Sequence, residues 1–284
     1  MPSTDAGAVP AALPTRPPRM RWLTHPTTWT ALAGAGTLAA ILAVWELLSR
    51  LGWLNEFFFP PPSLLFAATI ELIHSGFPDG ITLTTHVLMT LQRIVLGFLI
   101  AAALAVPAGI VIGYFEILSK MTSGIITFGR SIAAISVLPL FIAWFGIGEA
   151  AKVALIALGA FWVIVTYTIA GVRFVDPLLL RVARSLDTPG PVIFARVILP
   201  AALPRIFTGL KVALSVAFMI IVAAEMIATV TGLGAMITEA RTSFRTDITM
   251  VGMLAIGLLG WLVSRLLDGL EQVLLPWRKG GLRA

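Results

Sequence analysis

Long apolar runs alternate with short polar breaks along this chain. Six of them, over about 30–50, 90–115, 121–143, 152–172, 205–228 and 248–270, reach the ~20 residues that a helix needs to cross a bilayer. Lipid offers the backbone no hydrogen bonds, so such runs must be helices. The second run contains Pro107, and the third is interrupted by Arg130 and Pro139. After the first run, Phe57-Phe58-Phe59-Pro60-Pro61-Pro62-Ser63 cannot continue a helix. Ser63 is placed to cap a short amphipathic helix over 64–75, which the pattern lays on the outer surface with Leu64, Leu65, Ala68 and Leu72 toward lipid. Residues 229–245 are too short and polar to span. Gly232-Leu233-Gly234 breaks the chain there, and a short helix over 235–243 is predicted against the outer mouth. The pattern predicts an all-α membrane protein with six transmembrane helices.

Composition agrees. The chain is 58% hydrophobic and 12% charged, with mean hydropathy +0.96, whereas soluble domains carry about 25% charged residues. It has no cysteine, which removes disulfides, thiolate metal sites and a cysteine nucleophile. His25, His74 and His86 have no metal-ligand spacing. A net charge of +6 would suit nucleic acid in a soluble protein. In a membrane protein it reflects basic residues gathered on the cytoplasmic side, and no nucleic-acid partner is expected.

With the N-terminus inside, the cytoplasmic segments hold twelve cations: Arg16, Arg19, Arg21, Lys120, Arg173, Arg181, Arg184, Arg196, Arg205, Arg278, Lys279 and Arg283. The outer segments hold four, Arg50, Lys152, Arg241 and Arg245. That bias places both termini and the 173–205 segment in the cytoplasm. Residues 1–29, rich in Pro, Ala and Thr, read as a flexible cytoplasmic tail. They are not a cleavable signal, since the apolar run starts late and is long.

Residues 173–205 are basic, amphipathic and punctuated by prolines. Asp187 or Thr188 can cap a short helix with Pro189 at its first position. Arg196 then sits near its C-terminus, where the helix dipole favours a cation. Val192, Ile193, Phe194, Val197 and Ile198 form an apolar face, and Pro200 and Pro204 are expected to end this element and start the next span. Two readings fit: a docking surface for a soluble partner, or an interfacial helix resting on headgroups.

The segment resembles the EAA loop of ABC-importer permeases, whose pattern is Glu-Ala-Ala, three residues, Gly, nine residues, Ile, one residue, Leu-Pro. Its positions fall on Arg181-Val182-Ala183, Asp187, Val197, Leu199 and Pro200. The closing Val-Ile-Leu-Pro-Ala-Ala-Leu-Pro fits closely, while Arg181 replaces the acid and Asp187 the glycine. Further matches to the nitrate/sulfonate/taurine branch are Phe59-Pro60-Pro61-Pro62, Leu91-Gln92-Arg93-Ile94-Val95-Leu96-Gly97-Phe98 and the run from Pro139 to Lys152. So are Glu225-Met226 followed by Gly232-Leu233-Gly234, then Phe244-Arg245-Thr246-Asp247, and Leu275-Pro276-Trp277-Arg278.

The resemblance spans roughly 40–279. It implies a type I ABC-importer permease in a bacterial plasma (inner) membrane, with a permease domain over 30–279, a coupling loop over 173–205 and a short tail over 280–284. It implies two ATPase subunits that bind ATP and Mg, an extracytoplasmic solute-binding protein and a second permease copy. The solute is expected to be small and anionic, of the sulfonate, taurine or nitrate type. The chain has no Gly-rich phosphate loop followed by Lys-Ser/Thr, so nucleotide is bound elsewhere and this chain is not itself an enzyme. The implied ATPase-coupling residues are Arg181, Ala183, Arg184, Asp187, Pro189, Phe194, Leu199 and Pro200, with Phe194 as the buried anchor.

A charge at a bilayer centre costs about 2.5–3.5 kcal/mol on insertion scales, so Glu46, Arg93, Arg130, Glu225 and Arg265 stand out. Glu46 and Arg265 lie near span ends and are expected to snorkel. Arg93 and Glu225, toward outer ends, are placed to pair with each other or with outer loops. Arg130 either orders the third helix through an ion pair or carbonyl contact, which is the favoured reading, or lines an anion pathway. Glu225, Gly232 and Gly234 are the other pathway or gate candidates. An ion-coupled secondary transporter is the alternative function, but it needs coupling acids near the midplane, and these spans are nearly free of them there. A catalytic constellation for an intramembrane enzyme is also missing from the sequence.

Overall fold

The computed structural model describes residues 28–277. The tail expected over 1–29, apart from its last two residues, lies outside them, as does the 280–284 tail. Five helices are long and apolar enough to span, and a bent pair makes the sixth. In chain order the spans are α1 (Thr28–Arg50), α3 (Leu83–Tyr114), the pair α4 (Glu116–Ser131) and α5 (Leu138–Phe145), α6 (Glu149–Arg173), α9 (Leu199–Ala228) and α11 (Thr246–Leu274). Shorter helices are α2 (Pro62–His74), α7 (Pro177–Ser185), α8 (Gly190–Ile193) and α10 (Leu233–Thr242).

The third span is broken rather than kinked. Ile132 and Ala133 are extended (ψ 121° and 111°), a 3₁₀ turn follows over Ala134–Val137, and the two halves meet at 82°. Pro139 does not make the break. It stands in the first turn of α5, where its missing N–H leaves no bond unmade.

The centre of the fold is α3 against α6 against α9. On α3 the buried stripe Gly97, Ala101, Ala105, Gly109, Gly113 puts a small residue at every fourth position, on one helix face. Small residues let membrane helices approach closely. A Cβ at Gly97 would lie 2.7 Å from Ile156 Cβ, and one at Gly109 2.6 Å from Thr168 Cβ. Deeper along the bundle, Lys211 of α9 pairs with Asp268 (2.5 Å) and Glu271 of α11.

The cap formed by α2 and α10 differs from the sequence expectation. α2 starts at Pro62 with Pro61 as its N-cap, so Ser63 is not the cap. Its hydroxyl and N–H donate to Glu46 (2.8 and 3.0 Å), and Glu46 also accepts from Arg50. Glu46 therefore ties α1 to α2 instead of merely snorkelling. Arg265 stacks its guanidinium on Trp261. Leu65, Ala68 and Leu72 do not face lipid: they are buried with Leu233, Met236 and Ile248, and only Leu64 stays outside. The helix packed on α2 is chiefly α11, with α10 completing the shared cluster, and a helical wheel of α2 alone cannot reveal it. Arg245 joins both pieces by bonding Asp247 (2.9 and 3.0 Å) and Glu71 (2.8 Å).

Candidate functional site

The strongest concentration of polar chemistry is a buried knot at the end of the bundle that carries α2 and α10. Arg93 of α3 is 1% exposed and Glu225 of α9 is 0% exposed. All five guanidinium N–H groups are engaged: Nε and Nη2 on the Glu149 carboxylate (2.5 and 2.8 Å), Nη1 on Glu225 (2.6 Å) and the Thr231 carbonyl (2.7 Å), and Nη2 again on Thr231 Oγ1 (3.1 Å). The expected Arg93–Glu225 pair is present. Such bidentate, charge-assisted bonds are what permits burial of the ions.

The knot also holds α10. Glu225 accepts from Thr90 Oγ1 (2.9 Å) and Gly234 N–H (3.0 Å), and Leu233 N–H donates to Thr90 Oγ1 (2.9 Å). Orphan N–H groups at the start of α10 thus find side-chain acceptors. Gly232 N–H donates to His86 Nδ1 (3.0 Å), and His86 Nε2 faces the Phe77 carbonyl (2.9 Å); the tautomer protonated at Nε2 satisfies both. Gly232 has φ +123°, and a side chain there would strike the Glu225 carboxylate. A Cβ on Gly234 would lie 2.6 Å from the Val222 carbonyl. Glu225, Gly232 and Gly234 therefore turn the chain from α9 into α10, and here their polar atoms meet protein partners. Glu149, Lys152, Thr90, Thr231 and His86 went unrecognised in the sequence, although Glu149-Ala150-Ala151-Lys152 is the pattern of a first-turn acid with a cation three residues on.

Arg130 behaves differently. It is exposed, and among the described residues it has no ion pair, hydrogen bond or ring contact. The ordering contact expected for it is not found: the elbow after α4 is made by backbone at Ile132 and Ala133. Arg130 lines a cleft of about 450 Å³ between α4, α6 and α9, with Trp162, Met219 and Ile220 in its walls.

The 173–205 segment is rearranged relative to expectation. Asp176 caps α7, accepting from Leu178 N–H (2.8 Å), with Pro177 in the first turn. This Asp-Pro start was visible in the sequence but passed over. Asp187 does not start a helix; it ends one. Its φ is +48°, its N–H donates to the Arg184 carbonyl (3.1 Å), and Thr188 N–H donates to Ala183 (3.3 Å). That double bond with a left-handed residue is the Schellman stop, which favours glycine and tolerates a short polar side chain. A glycine at this position, as in the EAA pattern, would meet the same backbone demand.

The helix expected over 189–198 is not free-standing. Pro189 is the N-cap of α8, a π turn follows over Phe194–Ile198, and the chain runs on into α9. Pro200 and Pro204 lie within this stem rather than ending it. The π turn gives the reason at Pro200, whose fourth residue back, Arg196, lies inside it. A proline clashes with the carbonyl four residues back and lacks the N–H to bond it, and the wider turn, with Leu199 N–H donating to Phe194, absorbs the misfit. Phe194 is half-buried and packs its ring edge-on to Tyr114 of its own chain at 5.1 Å. The apolar surface that stands out is on α7: Leu178 is 61% and Leu186 73% exposed, beside exposed Leu179, Val182, Arg181 and Arg184, while Ala183 is buried beneath.

Comparison with known proteins agrees with this architecture. The chain is 34% identical over 260 residues to the taurine transport system permease protein TauC of Escherichia coli (strain K12), covering 91% of this chain and 94% of that protein. It is 35% identical over 240 residues to the putative aliphatic sulfonates transport permease protein SsuC of Bacillus subtilis (strain 168), covering 84% and 85%. In fold it is similar to a chain of the MetNI methionine ABC transporter in an inward-facing conformation, with TM-score 0.50 and 21% identity over 65% of this chain and 95% of that one. Residues 103–280 match the family described as binding-protein-dependent transport system inner membrane component, and the chain belongs to that family, as a multi-pass plasma-membrane permease with the type I ABC-importer fold.

Proposed function

We propose that this permease works in an ATP-driven importer of a small anionic solute of the sulfonate class, and that α7 is where a cytoplasmic ATPase pushes on it. The observation that carries the reading is α7 itself: a short helix between spans α6 and α9, with Leu178, Leu179, Val182 and Leu186 exposed among arginines. An amphipathic helix with an apolar stripe and basic flanks suits a groove on a soluble partner. Both ends of α7 are mechanically defined, by the Asp176 cap and the Asp187 stop, so force on it reaches α6 and α9 with little slack. Phe194, held on Tyr114, belongs to the stem that receives the force. The Lys and Arg distribution supports a cytoplasmic α7. The relatives' names support a sulfonate-type solute.

On this reading two ATPase subunits bind ATP and Mg and dock on the α7 helices of two permease copies. Their closure swings the α6 and α9 stems, and an external binding protein supplies the solute. The test is reconstitution with ATPase and binding protein in proteoliposomes. Uptake of taurine or ethanesulfonate should require ATP, and Leu186→Asp with Val182→Asp should abolish ATPase co-purification. Uptake driven by an ion gradient without ATP would establish the secondary-transporter alternative instead.

A further inference from the structure

The cations in spanning helices outside 173–205 divide sharply. Arg50 pairs with Glu46, Arg93 with Glu149 and Glu225, Lys120 with Glu116, Lys152 with Glu149, and Lys211 with Asp268 and Glu271. Arg265 lies over Trp261. Arg130 alone, among the described residues, has no such partner. Its depth makes this costly: Trp162, which lines the same cleft, is near the middle of the 25-residue α6, and a cation at mid-bilayer disfavours insertion. The carbonyls at the C-terminus of α4 lower that cost through the helix dipole, yet none of them accepts a bond from the guanidinium.

We propose that the cleft beside Arg130 is a mid-membrane resting site for a small monoanion with a short apolar body, an alkanesulfonate being the best match. The volume of about 450 Å³ falls in the ~300–1,000 Å³ range of small-molecule pockets. The walls are apolar (Trp162, Val163, Met219, Ile220), and Arg130 is the single charged residue among them. A planar fork of donors matches three equivalent sulfonate oxygens. One cation balances one negative charge and leaves a dianion such as sulfate under-compensated. Because the lining holds no carboxylate, the ammonium of taurine finds no acceptor, so ethanesulfonate should bind more tightly than taurine. The wall is stiff, since the Trp162 ring rests against Gly129, where even a methyl group would collide with it. The site's place in transport rests on the importer reading; its binding chemistry does not.

The test uses the full chain in zwitterionic nanodiscs and measures equilibrium binding of radiolabelled ethanesulfonate. Saturable binding is expected, weakened about tenfold to a hundredfold in Arg130→Gln, partly retained in Arg130→Lys, and competed less well by taurine or sulfate. Absence of saturable binding to the wild type at millimolar ligand overturns the site, as does equal binding by Arg130→Gln. Displacement of ethanesulfonate by added phosphatidylglycerol would show that the cleft holds a lipid phosphate, and would also overturn it. So would loss of permease self-association in Arg130→Gln, which would make a second copy the charge partner. With ATPase and binding protein added, Arg130→Gln should lose uptake while keeping binding-protein-stimulated ATP hydrolysis; wild-type uptake by this variant sinks the proposal. Wild-type complex that binds ethanesulfonate but does not move it with ATP supports the site and removes the importer reading.

Discussion

The two ends of this bundle handle charge in opposite ways. At the α10 end Arg93 uses every donor it has, on Glu149, Glu225 and Thr231, and the start of α10 is closed by side chains from α3 and α9. At the α7 end Arg181 and Arg184 stand exposed beside uncovered leucines. One end is closed by partners within the chain, while the other leaves an apolar stripe and two arginines exposed. The knot holds α3, α6, α9 and α10 as one body; α7 is the handle proposed above.

If the contrast is real, substitutions at the knot should cost stability and substitutions on α7 should not. The largest loss is expected for Arg93→Met, which strands the buried Glu225: ~3–5 kcal/mol, seen as failure to recover folded protein or a steep fall in Tm in detergent. A normal Tm would mean the knot is not what binds these helix ends together. Next is Gly232→Ala, which combines a positive φ with a collision at Glu225; about 2–3 kcal/mol is expected, read by the same thermal assay. Phe194→Ala removes the edge-on contact with Tyr114 and should cost ~1–2 kcal/mol, with ATPase co-purification at wild-type yield; a lost partner at unchanged Tm would return the docking role to Phe194. Arg245→Gln loosens an exposed ion cluster with Glu71 and Asp247 and is expected to cost under ~1 kcal/mol, shrinking further in high salt. The smallest change in Tm belongs to Leu186→Asp, within about 0.5 kcal/mol, although ATPase association should fail. If Leu186→Asp instead unfolds the chain, the two ends are not different in kind.

Much of this was readable before any coordinates. Runs of apolar residues report spans directly, because a helix in lipid satisfies its backbone alone and its length follows from bilayer thickness. The number of spans, their order and the location of the interrupting segment came from that. The pairing of Arg93 with Glu225 was legible too, since buried opposite charges near one membrane face have few other solutions. What escaped depended on neighbours distant in sequence. Arg93 meets Glu149 across 56 positions and Glu225 across 132; nothing local marks Glu149 as its partner. The inward turn of Leu65, Ala68 and Leu72 needed α11 and α10 beside them, because lipid and a protein core are equally apolar and a helical wheel cannot tell them apart.

The 173–205 segment shows the same division at close range. Asp176-Pro177 and the EAA-like spacing are local signals, and local hydrogen bonds obey them: a cap, a helix, a stop at Asp187. Whether Pro200 parts the short helix from the next span or is absorbed into one continuous stem is a different question, and the π turn at Phe194–Ile198 answers it. Length, polarity and caps are properties of the chain. Which face of a helix is covered, which charge is left over and which proline is tolerated are settled by what packs alongside, because those free energies arise from contacts between segments far apart in the chain.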